Sequence, residues 1–560
     1  MSEKALKKAM DFMENEKQFH LGFLPTEQSN PLTKNLDREF ASATGNGVKC
    51  LQRVDRNVSD MAKRIFRGKE FKKLVSDGVE TLRNGGKIVF SGCGATGRLS
   101  ILLECMWRDC CFKTPAVSRY ANQVFSIMTG GDYALVRSVE FFEDYQQFGR
   151  RQVQETGMGG NDMLVAITEG GETSSVLGTV FEALDRGAKV VLMFNNPADL
   201  LSEHLERSRK AICDPRVCVL DLHCGPMALA GSTRMQATTS EQLVAGGALE
   251  SVMNVLLGKA SPDYAADFEK LLDNLEAPAA REAIAGYIDF EAGIYRNKGL
   301  VTYFADDYLL DIFTDTTERS PTFMLPPFRK NDDKVSPRPW AFVKNPLFTT
   351  PEVWDRGMHR PLRCLGWTVP DYEVMGAPEA IRKNPPKIHD TELLKFEVGK
   401  ESPSDRAATG KDAAVLVTVG DRPGDVRLFD AFAGAEAPFA FRKHLAVGGS
   451  RKADFRIPCE LPDTPLHLME HMAVKLVLNT VSTGVMAVLG RVTGNWMSWV
   501  DVTNKKLMDR GIRLISEIGG LDYKESCIRL FEAVEELESS HVASDEKVSA
   551  VQFVLKKMGR

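Results

Sequence analysis

Short apolar runs alternate with helical patterns over residues 87–222, and this alternation is the feature that most constrains the fold. The runs are rich in Val, Ile, Leu and Phe, which is typical of strands covered on both faces. Helical segments between such strands imply βαβ units and a parallel sheet, so the sequence predicts an α/β domain here. The predicted strands are KIVF (87–90), QVFSIM (123–128), MLVAIT (163–168), KVVLMF (189–194) and VCVLDL (217–222).

The rest of the chain predicts a weaker copy of the same domain. QLVAGGALESVM (242–253) lines up with KLVLNTVSTGVM (475–486), as expected for an internal repeat. The runs GLVTYF (299–304) and AAVLVTV (413–419) predict further buried strands. The Pro-rich, charged stretch 326–412 predicts long loops.

These patterns predict two tandem α/β domains, each with a parallel sheet flanked by helices. The N-terminus forms an amphipathic helical pattern without the apolar core of a signal peptide. A long helix is predicted at 234–258, and everything after about residue 490 is predicted to be helical. The predicted divisions are an N-terminal helical arm (1–50), a first domain (51–285), a second, degenerate domain (286–500) and a helical cap (501–560).

Composition and charge exclude several classes of protein. A net charge of −5 without a basic tract argues against nucleic-acid binding, and no apolar run reaches the ~18 residues of a membrane span. Eleven cysteines without a CxxC pair favour a reduced, cytoplasmic setting. Cys213, Cys218, His223 and Cys224 match no common zinc spacing, so we expect buried structural thiols, no metal and no cofactor.

The stretch VFSGCGATGRLS (89–100) contains G-x-G-x-x-G between an apolar run and a helical pattern, the context of a dinucleotide-binding fingerprint. That fingerprint needs an acidic residue about twenty positions further on, and CFKTPAVSRY (111–120) supplies none. AITEGGETSSV (166–176) repeats the design at another strand end. Two such loops present helix N-termini and hydroxyls to one anion, which suits a single phosphate. The alternative is that both are merely tight βα turns with N-caps.

The two loops resemble the phosphate loops of the sugar isomerase (SIS) family. GCGATGR resembles the first loop and TEGGET the second, in which Gly170 replaces a frequent Ser and removes one hydroxyl donor. The resemblance implies that both α/β domains are SIS domains with a flavodoxin-like three-layer fold, and that the loops hold the phosphate of a sugar phosphate. The implied loop residues are Gly94, Ala95, Thr96, Thr168, Glu169, Gly170 and Thr173.

Further motifs resemble one branch of this family, which contains N-acetylmuramic acid 6-phosphate etherase and glucokinase regulatory protein. They are LPTEQSNPLTKNLD (24–37), MTGGDYALVRSVEFFED (128–144), AGSTRMQ (230–236) and the segment 474–507. The resemblance covers about half of the chain and is weak over 260–465. Its two-domain layout is closest to that of the regulatory protein, since the etherase has one SIS domain per chain and forms a homodimer.

The resemblance also implies two Glu residues and a Lys at the sugar. In the first half, Glu143 in VEFFED matches one Glu, but Met106 and Gln242 occupy the positions of the other Glu and of the Lys. The first half therefore keeps both phosphate loops and one of the three remaining site residues.

The second half shows the inverse pattern. FADDYL stands where the first loop belongs, and its Asp306 and Asp307 would repel a phosphate; TVGDRP replaces the second loop. Yet Glu318 in DTTERSPTF matches the missing Glu, and Lys475 matches the missing Lys. Each half lacks what the other keeps, so we predict one composite site built from both.

The site residues carry simpler alternatives when taken singly. Glu143 and Glu318 are then typical of solvated helix residues, and Lys475 of a snorkelling side chain. Arg234 in GSTRM is a further candidate for contact with the sugar or its phosphate, and its alternative is an ion pair at a helix start.

The resemblance implies a phosphosugar-binding protein, with two activities in view. The first is a fructose-phosphate-responsive regulator that inhibits a sugar kinase such as glucokinase. The alternative is an etherase-type lyase acting on an amino sugar 6-phosphate, with Glu143 and Glu318 as the acid/base pair. The expected partners are fructose 6-phosphate, fructose 1-phosphate or an amino sugar 6-phosphate and, for a regulator, the kinase, without nucleic acid or membrane. A cytoplasmic location is expected, and a nuclear one would also fit a regulator.

Overall fold

Two parallel five-stranded sheets organise the part of the chain that the computed structural model describes, which comprises residues 3–402, 405–539 and 548–559. All paired strands in both sheets run parallel. The strands are β1 (Ile88–Gly92), β2 (Val124–Met128), β3 (Met163–Ile167), β4 (Lys189–Phe194), β5 (Val217–Asp221), β6 (Val301–Phe304), β7 (Ala341–Lys344), β8 (Ala413–Val419), β9 (Phe441–Val447) and β10 (Phe455–Ile457).

Helices cover both sheets and form the two ends of the chain. Before and within the first half they are α1 (Glu3–Asn15), α2 (Leu36–Ser42), α3 (Thr44–Arg67), α4 (Lys69–Arg83), α5 (Ala95–Lys113), α6 (Tyr133–Val136), α7 (Gln146–Glu155), α8 (Ser174–Asp185), α9 (Ala198–His204), α10 (Glu206–Ile212), α11 (Gln236–Leu256) and α12 (Tyr264–Glu276). The later ones are α13 (Pro278–Arg296), α14 (Leu309–Phe323), α15 (Thr350–Met358), α16 (Val369–Val374), α17 (Glu379–Lys383), α18 (Asp390–Leu393), α19 (Asp425–Ala435), α20 (Leu468–Val488), α21 (Lys505–Gly519), α22 (Tyr523–Ser539) and α23 (Ala550–Lys557). Short 3-10 helices lie at Lys17–Phe19, Pro25–Glu27, Pro31–Thr33, Pro115–Gln123 and Glu140–Phe142.

The two sheets share one topology. The first has the order β2-β1-β3-β4-β5, and the second, followed from its β7 edge, has the order β7-β6-β8-β9-β10, which is the same order in chain sequence. The prediction of two tandem parallel α/β units with a helical C-terminal part is confirmed. The division points between the units stay predictions.

Buried apolar strands explain why the sheets form where they do. Every residue of β1, β3 and β8 is buried, as expected for strands covered by helices on both faces. The long helices α11 and α20, one from each half, contact each other, and α5 of the first half contacts α14 of the second. These contacts bring the carboxyl ends of the first half's strands up against the second half.

The stretch 326–412 was predicted as long loops, and this was wrong in part. It contains β7, which pairs with β6, and four short helices from α15 to α18. The local signals are short: β7 has four residues, and α15 begins with a capping box in which Thr349 and Glu352 satisfy each other's backbone N–H groups. Proline is favoured in the first turn of a helix, although a Pro-rich composition is typical of loops.

The C-terminal helices α21 to α23 form the cap, and α1 packs against α22. The segment 489–504 that precedes α21 has no helix, contrary to the expectation that everything there is helical, and residues 540–547 lie outside the described residues. Helix α20 is long and apolar enough to cross a membrane by composition, but 89% of its most apolar window is buried inside the protein. It is therefore a core helix of this fold.

Candidate functional site

The first glycine-rich loop joins β1 to α5 through a sharp turn. Gly94 has φ +58°, and a Cβ on Gly92 would lie 2.4 Å from the carbonyl carbon of Thr96, so both positions require glycine. Thr96 is fully buried, and its Oγ1 accepts a hydrogen bond from Cys93 N (3.0 Å) and donates one to Cys93 O (2.8 Å). Thr96 therefore shapes the loop from behind, while the first turn of α5 leaves backbone N–H groups for an anion.

The second loop joins β3 to α8 in the same manner. Thr168 Oγ1 donates a hydrogen bond to Thr173 Oγ1 (3.1 Å), and Asn196 Nδ2 donates one to Gly170 O (3.0 Å). Only Thr173 and Glu169 of this loop line the adjoining cavity, because Thr168 is fully buried beneath them. The loop thus offers one hydroxyl, one carboxyl and the N-terminus of α8 at its open side.

A cavity of about 120 Å³ lies where the two loops meet, and both halves and the cap line it. The first half contributes Cys93, Gly94, Ala95, Ser138, Glu143, Glu169, Thr173, Gly231, Ser232, Thr233 and Arg234. The second half contributes Glu318, Pro321, Thr322 and Met497, and the cap contributes Asn504, Lys506, Leu507 and Arg510. We call this the composite cavity. A cleft of about 360 Å³ adjoins it and shares Ser138, Pro321 and Leu507 as lining residues.

Glu318 reaches the composite cavity from α14 and is held there by Arg98. The Arg98 side chain is fully buried and ion-paired with the Glu318 carboxylate, which is 13% exposed. Arg98 also donates hydrogen bonds to the carbonyls of Leu135 (3.1 Å) and Ala134 (2.8 Å). A residue of the first loop's helix therefore fixes the position of a carboxylate from the other half.

The cap supplies polar residues that the sequence interpretation did not assign. Asn504 Nδ2 donates a hydrogen bond to Glu143 Oε1 (2.7 Å), and Lys506 Nζ lies 3.3 Å from Glu172 Oε1. Glu172 is also ion-paired with Arg207 at 2.6 Å. The signal that could have found Asn504 and Lys506 is the segment NKKL, which belongs to the motif that carried the resemblance.

Arg234 lines the composite cavity but uses its guanidinium within the protein. It is ion-paired with Asp315 at 3.0 Å and donates hydrogen bonds to Ser482 Oγ (3.0 Å) and Thr483 Oγ1 (2.8 Å). Of its two predicted roles, the structure shows the ion pair. This ion pair again ties the first half to the second.

Lys475 lies behind the composite cavity and is not among its lining residues. Its Nζ donates hydrogen bonds to Arg234 O and Asn479 Oδ1, both at 2.8 Å. Burial lowers the pKa of Lys475 to about 8, with the Arg234 charge acting in the same direction. A buried ammonium group must find acceptors, and Lys475 finds them in the Arg234 carbonyl and the Asn479 side chain. Contact between Lys475 and the sugar stays a prediction.

Two carboxyl groups share the region beneath the second loop. Burial raises the pKa of Glu169 to about 7, and Glu318 adds to this while Lys506 opposes it. Glu241 is fully buried, its pKa is raised by burial and by Glu169, and Asn195 Nδ2 donates to its Oε1 (3.0 Å). At neutral pH the two groups therefore hold at least one proton between them, next to the place where an anion would bind.

Chemically, the composite cavity offers an anion site beside three carboxyl groups. The N-termini of α5 and α8 and the Thr173 hydroxyl suit a phosphate. Glu143, Glu169 and Glu318 can accept hydrogen bonds from sugar hydroxyls or move protons. No group of three or more His, Cys, Asp or Glu side chains that could hold a metal ion occurs among the described residues.

Comparison with known proteins agrees with this geometry. Residues 70–184 match the family model of the glucokinase regulatory protein N-terminal SIS domain. Over 262 residues the chain is 29% identical to N-acetylmuramic acid 6-phosphate etherase 1 of Bacillus licheniformis, covering 47% of this chain and 79% of that protein. The etherase of Petrotoga mobilis is 27% identical over 259 residues, 46% of this chain and 79% of its own. The chain is therefore similar to SIS-domain proteins of this branch over its first half.

Solved structures overlap with this chain only loosely. Tagatose-6-phosphate ketose/aldose isomerase from Escherichia coli has 11% identity and a TM-score of 0.42, covering 80% of this chain and 93% of its own. The C-terminal domain of glucosamine-fructose-6-phosphate aminotransferase from Francisella tularensis has 11% identity and a TM-score of 0.43, covering 80% and 97%. The strand order of the two sheets, rather than these overlaps, defines the fold.

The predicted site residues fall into two groups. One group lines the composite cavity and comprises Gly94, Ala95, Glu143, Glu169, Thr173, Arg234 and Glu318. The other lies behind it and comprises Thr96, Thr168, Gly170 and Lys475, which hydrogen-bond to the loops or to Arg234. The predicted buried thiols are correct for Cys224, but Cys213 is exposed and Cys218 half-buried.

Proposed function

We propose that the protein binds one phosphosugar in the composite cavity and acts on an amino sugar 6-phosphate as an etherase-type lyase. The observation that carries this proposal is the position of Glu318. It comes from the half without phosphate loops, yet it lines the same cavity as both loops and Glu143. The etherase relatives, whose match spans most of their own length, add support.

The carboxyl groups fit what such a reaction requires. Removing an ether substituent needs a base for the proton at C2 and an acid for the departing ether oxygen. Glu143 and Glu318 supply the pair, and Asn504 and Arg98 hold them in place. Glu169 is a third group that can carry a proton at neutral pH, because burial raises its pKa to about 7.

The phosphate would anchor the ligand while the carboxyl groups act. Ala95 and Thr173, at the starts of α5 and α8, line the composite cavity, and the dipoles of both helices favour an anion there. The adjoining cleft gives room for a substituent on the sugar, since it shares lining residues with the composite cavity.

A second candidate function is the phosphosugar-dependent regulation of a sugar kinase. It is favoured by the match of residues 70–184 to the regulatory protein's SIS domain and by the tandem layout, in which the second half has lost its phosphate loops. In that case the same carboxyl groups would hold sugar hydroxyls without turning the ligand over.

Turnover separates the two functions. The purified protein should release lactate from N-acetylmuramic acid 6-phosphate, and Glu143→Gln and Glu318→Gln should abolish release while glucosamine 6-phosphate still binds in calorimetry. Glu203→Gln, on the exposed face of α9, is the matched control and should leave release unchanged. Phosphosugar binding without lactate, together with inhibition of a sugar kinase, would favour the regulator. Failure to bind any hexose phosphate would refute both the phosphosugar site and the lyase activity.

A further inference from the structure

The cleft that adjoins the composite cavity differs from it in chemical character. Its volume of about 360 Å³ lies within the range of about 300–1,000 Å³ typical of small-molecule sites. The composite cavity is lined mainly by polar side chains and glycine-rich backbone. Much of the cleft wall is instead apolar and includes Val136, Met324, Leu325, Pro327, Phe328 and Trp340. A ligand group that enters the cleft would therefore meet apolar surface.

The cleft is continuous with the composite cavity along α14. Glu318 on this helix lines the composite cavity, and the preceding residue, Thr317, lines the cleft. Thr317 Oγ1 donates a hydrogen bond to Leu135 O (3.1 Å), which holds α14 against α6. Ser138, which follows α6, lines both spaces. A substituent on a sugar held beside Glu318 can therefore extend past Ser138 into the cleft.

Arg137 carries a charge in the cleft that has no partner. It lies between the end of α6 and Ser138, lines the cleft and is half-buried. Its guanidinium makes no hydrogen bond, ion pair or ring contact with any residue that the structure describes. A guanidinium presents its N–H donors in a planar fork that matches the two oxygens of a carboxylate. Arg137 is therefore available to an anionic group of a ligand.

The other two arginines of the cleft are already paired with carboxylates outside its lining. Arg319 is ion-paired with Glu291 at 2.6 Å, and both side chains are buried. Arg329 is ion-paired with Asp405 at 2.6 Å. An anion that approached either arginine would compete with an existing partner, whereas at Arg137 it would meet none.

The acidic side chains of the cleft are also engaged. Asp333 Oδ1 accepts hydrogen bonds from the backbone N–H groups of Val335 (3.1 Å) and Ser336 (2.9 Å). Asp501 has an interaction partner of its own. Three arginines and two aspartates line the cleft, so its formal charge has one positive charge in excess. The cleft thus favours a group that combines a negative charge with apolar surface.

We propose that Arg137 binds a carboxylate on the substituent of the sugar, so that the cleft selects a phosphosugar that carries a short carboxylic acid. This inference rests on the proposed function, in which the ligand is N-acetylmuramic acid 6-phosphate. The ether substituent of that sugar is lactate, which offers a carboxylate to Arg137 and a methyl group to the apolar wall. Arg137 is then a residue that determines specificity, separate from the Glu143 and Glu318 pair.

Calorimetry with two ligands that differ only in the lactyl group tests the proposal. N-acetylmuramic acid 6-phosphate and N-acetylglucosamine 6-phosphate are titrated into Glu143→Gln, in which the ether should stay intact. The lactyl ligand should bind at least tenfold more tightly, which corresponds to about 1.4 kcal/mol. Adding Arg137→Gln should reduce this preference to less than threefold and leave the binding of N-acetylglucosamine 6-phosphate unchanged. Arg209→Gln, at an exposed position on α10, is the matched control and should leave the preference unchanged.

The two ligands distinguish a failure of this inference from a failure of the proposed function. Binding of N-acetylglucosamine 6-phosphate without a preference for the lactyl ligand would overturn the role of Arg137 and leave the phosphosugar site standing. A preference that survives Arg137→Gln would overturn that role as well. Failure of both ligands to bind would refute the phosphosugar site and this inference together. A preference that depends on Arg137, without lactate release by the unsubstituted protein, would support the inference and refute the lyase activity.

Discussion

Glu169 should make phosphosugar binding depend on pH in a way that one substitution removes. Its carboxyl group lines the composite cavity, and burial raises its pKa from the usual 4.5 to about 7. Raising the pH from 6 to 8 converts it from mostly protonated to mostly ionised, which places a negative charge beside the phosphate. The Glu169 contribution therefore weakens phosphosugar binding as the pH rises through 7, and Glu169→Gln should abolish this contribution.

The magnitude follows from Coulomb's law. For an effective dielectric constant of about 20 and a separation of roughly 7 Å between carboxylate and phosphate, the repulsion is about 2 kcal/mol per unit charge. Screening and water in the cavity reduce this, so we expect about 1 kcal/mol, or a five- to tenfold loss of affinity between pH 6 and pH 8. The phosphate's own second ionisation near pH 6 acts in the opposite direction and is common to both proteins.

The assay is calorimetric titration of glucosamine 6-phosphate into the unsubstituted protein and Glu169→Gln at pH 6, 7 and 8. The ratio of the two dissociation constants cancels the ionisation of the phosphate. That ratio should change five- to tenfold across the range, and Glu203→Gln should behave as the unsubstituted protein does. Equal pH dependence in the protein and in Glu169→Gln would refute the reasoning.

Three further predictions concern buried charged side chains. Arg360→Ala should lower the free energy of unfolding by about 3–5 kcal/mol, because it leaves the buried carboxylates of Glu104 and Asp132 without this partner. A clear drop in melting temperature would show this loss. Burial raises the pKa of Glu27, but Arg510 and Arg513 outweigh burial and lower the pKa from 4.5 to about 2. The ionised Glu27 should therefore stabilise the fold by about 3 kcal/mol above pH 4.5, and this stability should be lost as the pH falls towards 2. Glu27→Gln should flatten the acid limb of a plot of melting temperature against pH. Lys475→Met should weaken glucosamine 6-phosphate binding by roughly 1–3 kcal/mol in calorimetry, since two acceptors behind the cavity lose their donor.

Much of the fold could be predicted from the sequence because the central strands are continuous apolar runs. β1, β3 and β8 are fully buried, so their apolar composition alone identifies them as strands. β9 and β10 were not predicted, because they lie towards the sheet's edge and carry exposed residues that break the apolar pattern. Edge strands owe their existence to pairing with a neighbour, and pairing partners are not visible in a local pattern.

The composite cavity could be predicted in outline but not in detail. The glycine-rich loops and Glu318 carry motif signals, whereas the roles of Lys475 and Thr96 depend on which hydrogen bonds their buried groups make. Motif matching gives a position in the chain but not the direction of a side chain. Asn504 and Lys506 were missed for the same reason, since only the packed cap brings them to Glu143 and Glu172.

The central claim is that one phosphosugar site is built from both halves, and a crystal structure with glucosamine 6-phosphate bound tests it most directly. The account predicts the phosphate at the N-termini of α5 and α8 and a sugar hydroxyl within hydrogen-bonding distance of Glu318. A sugar phosphate bound by first-half residues alone, with Glu318 still paired only with Arg98 and out of reach of the ligand, would contradict it.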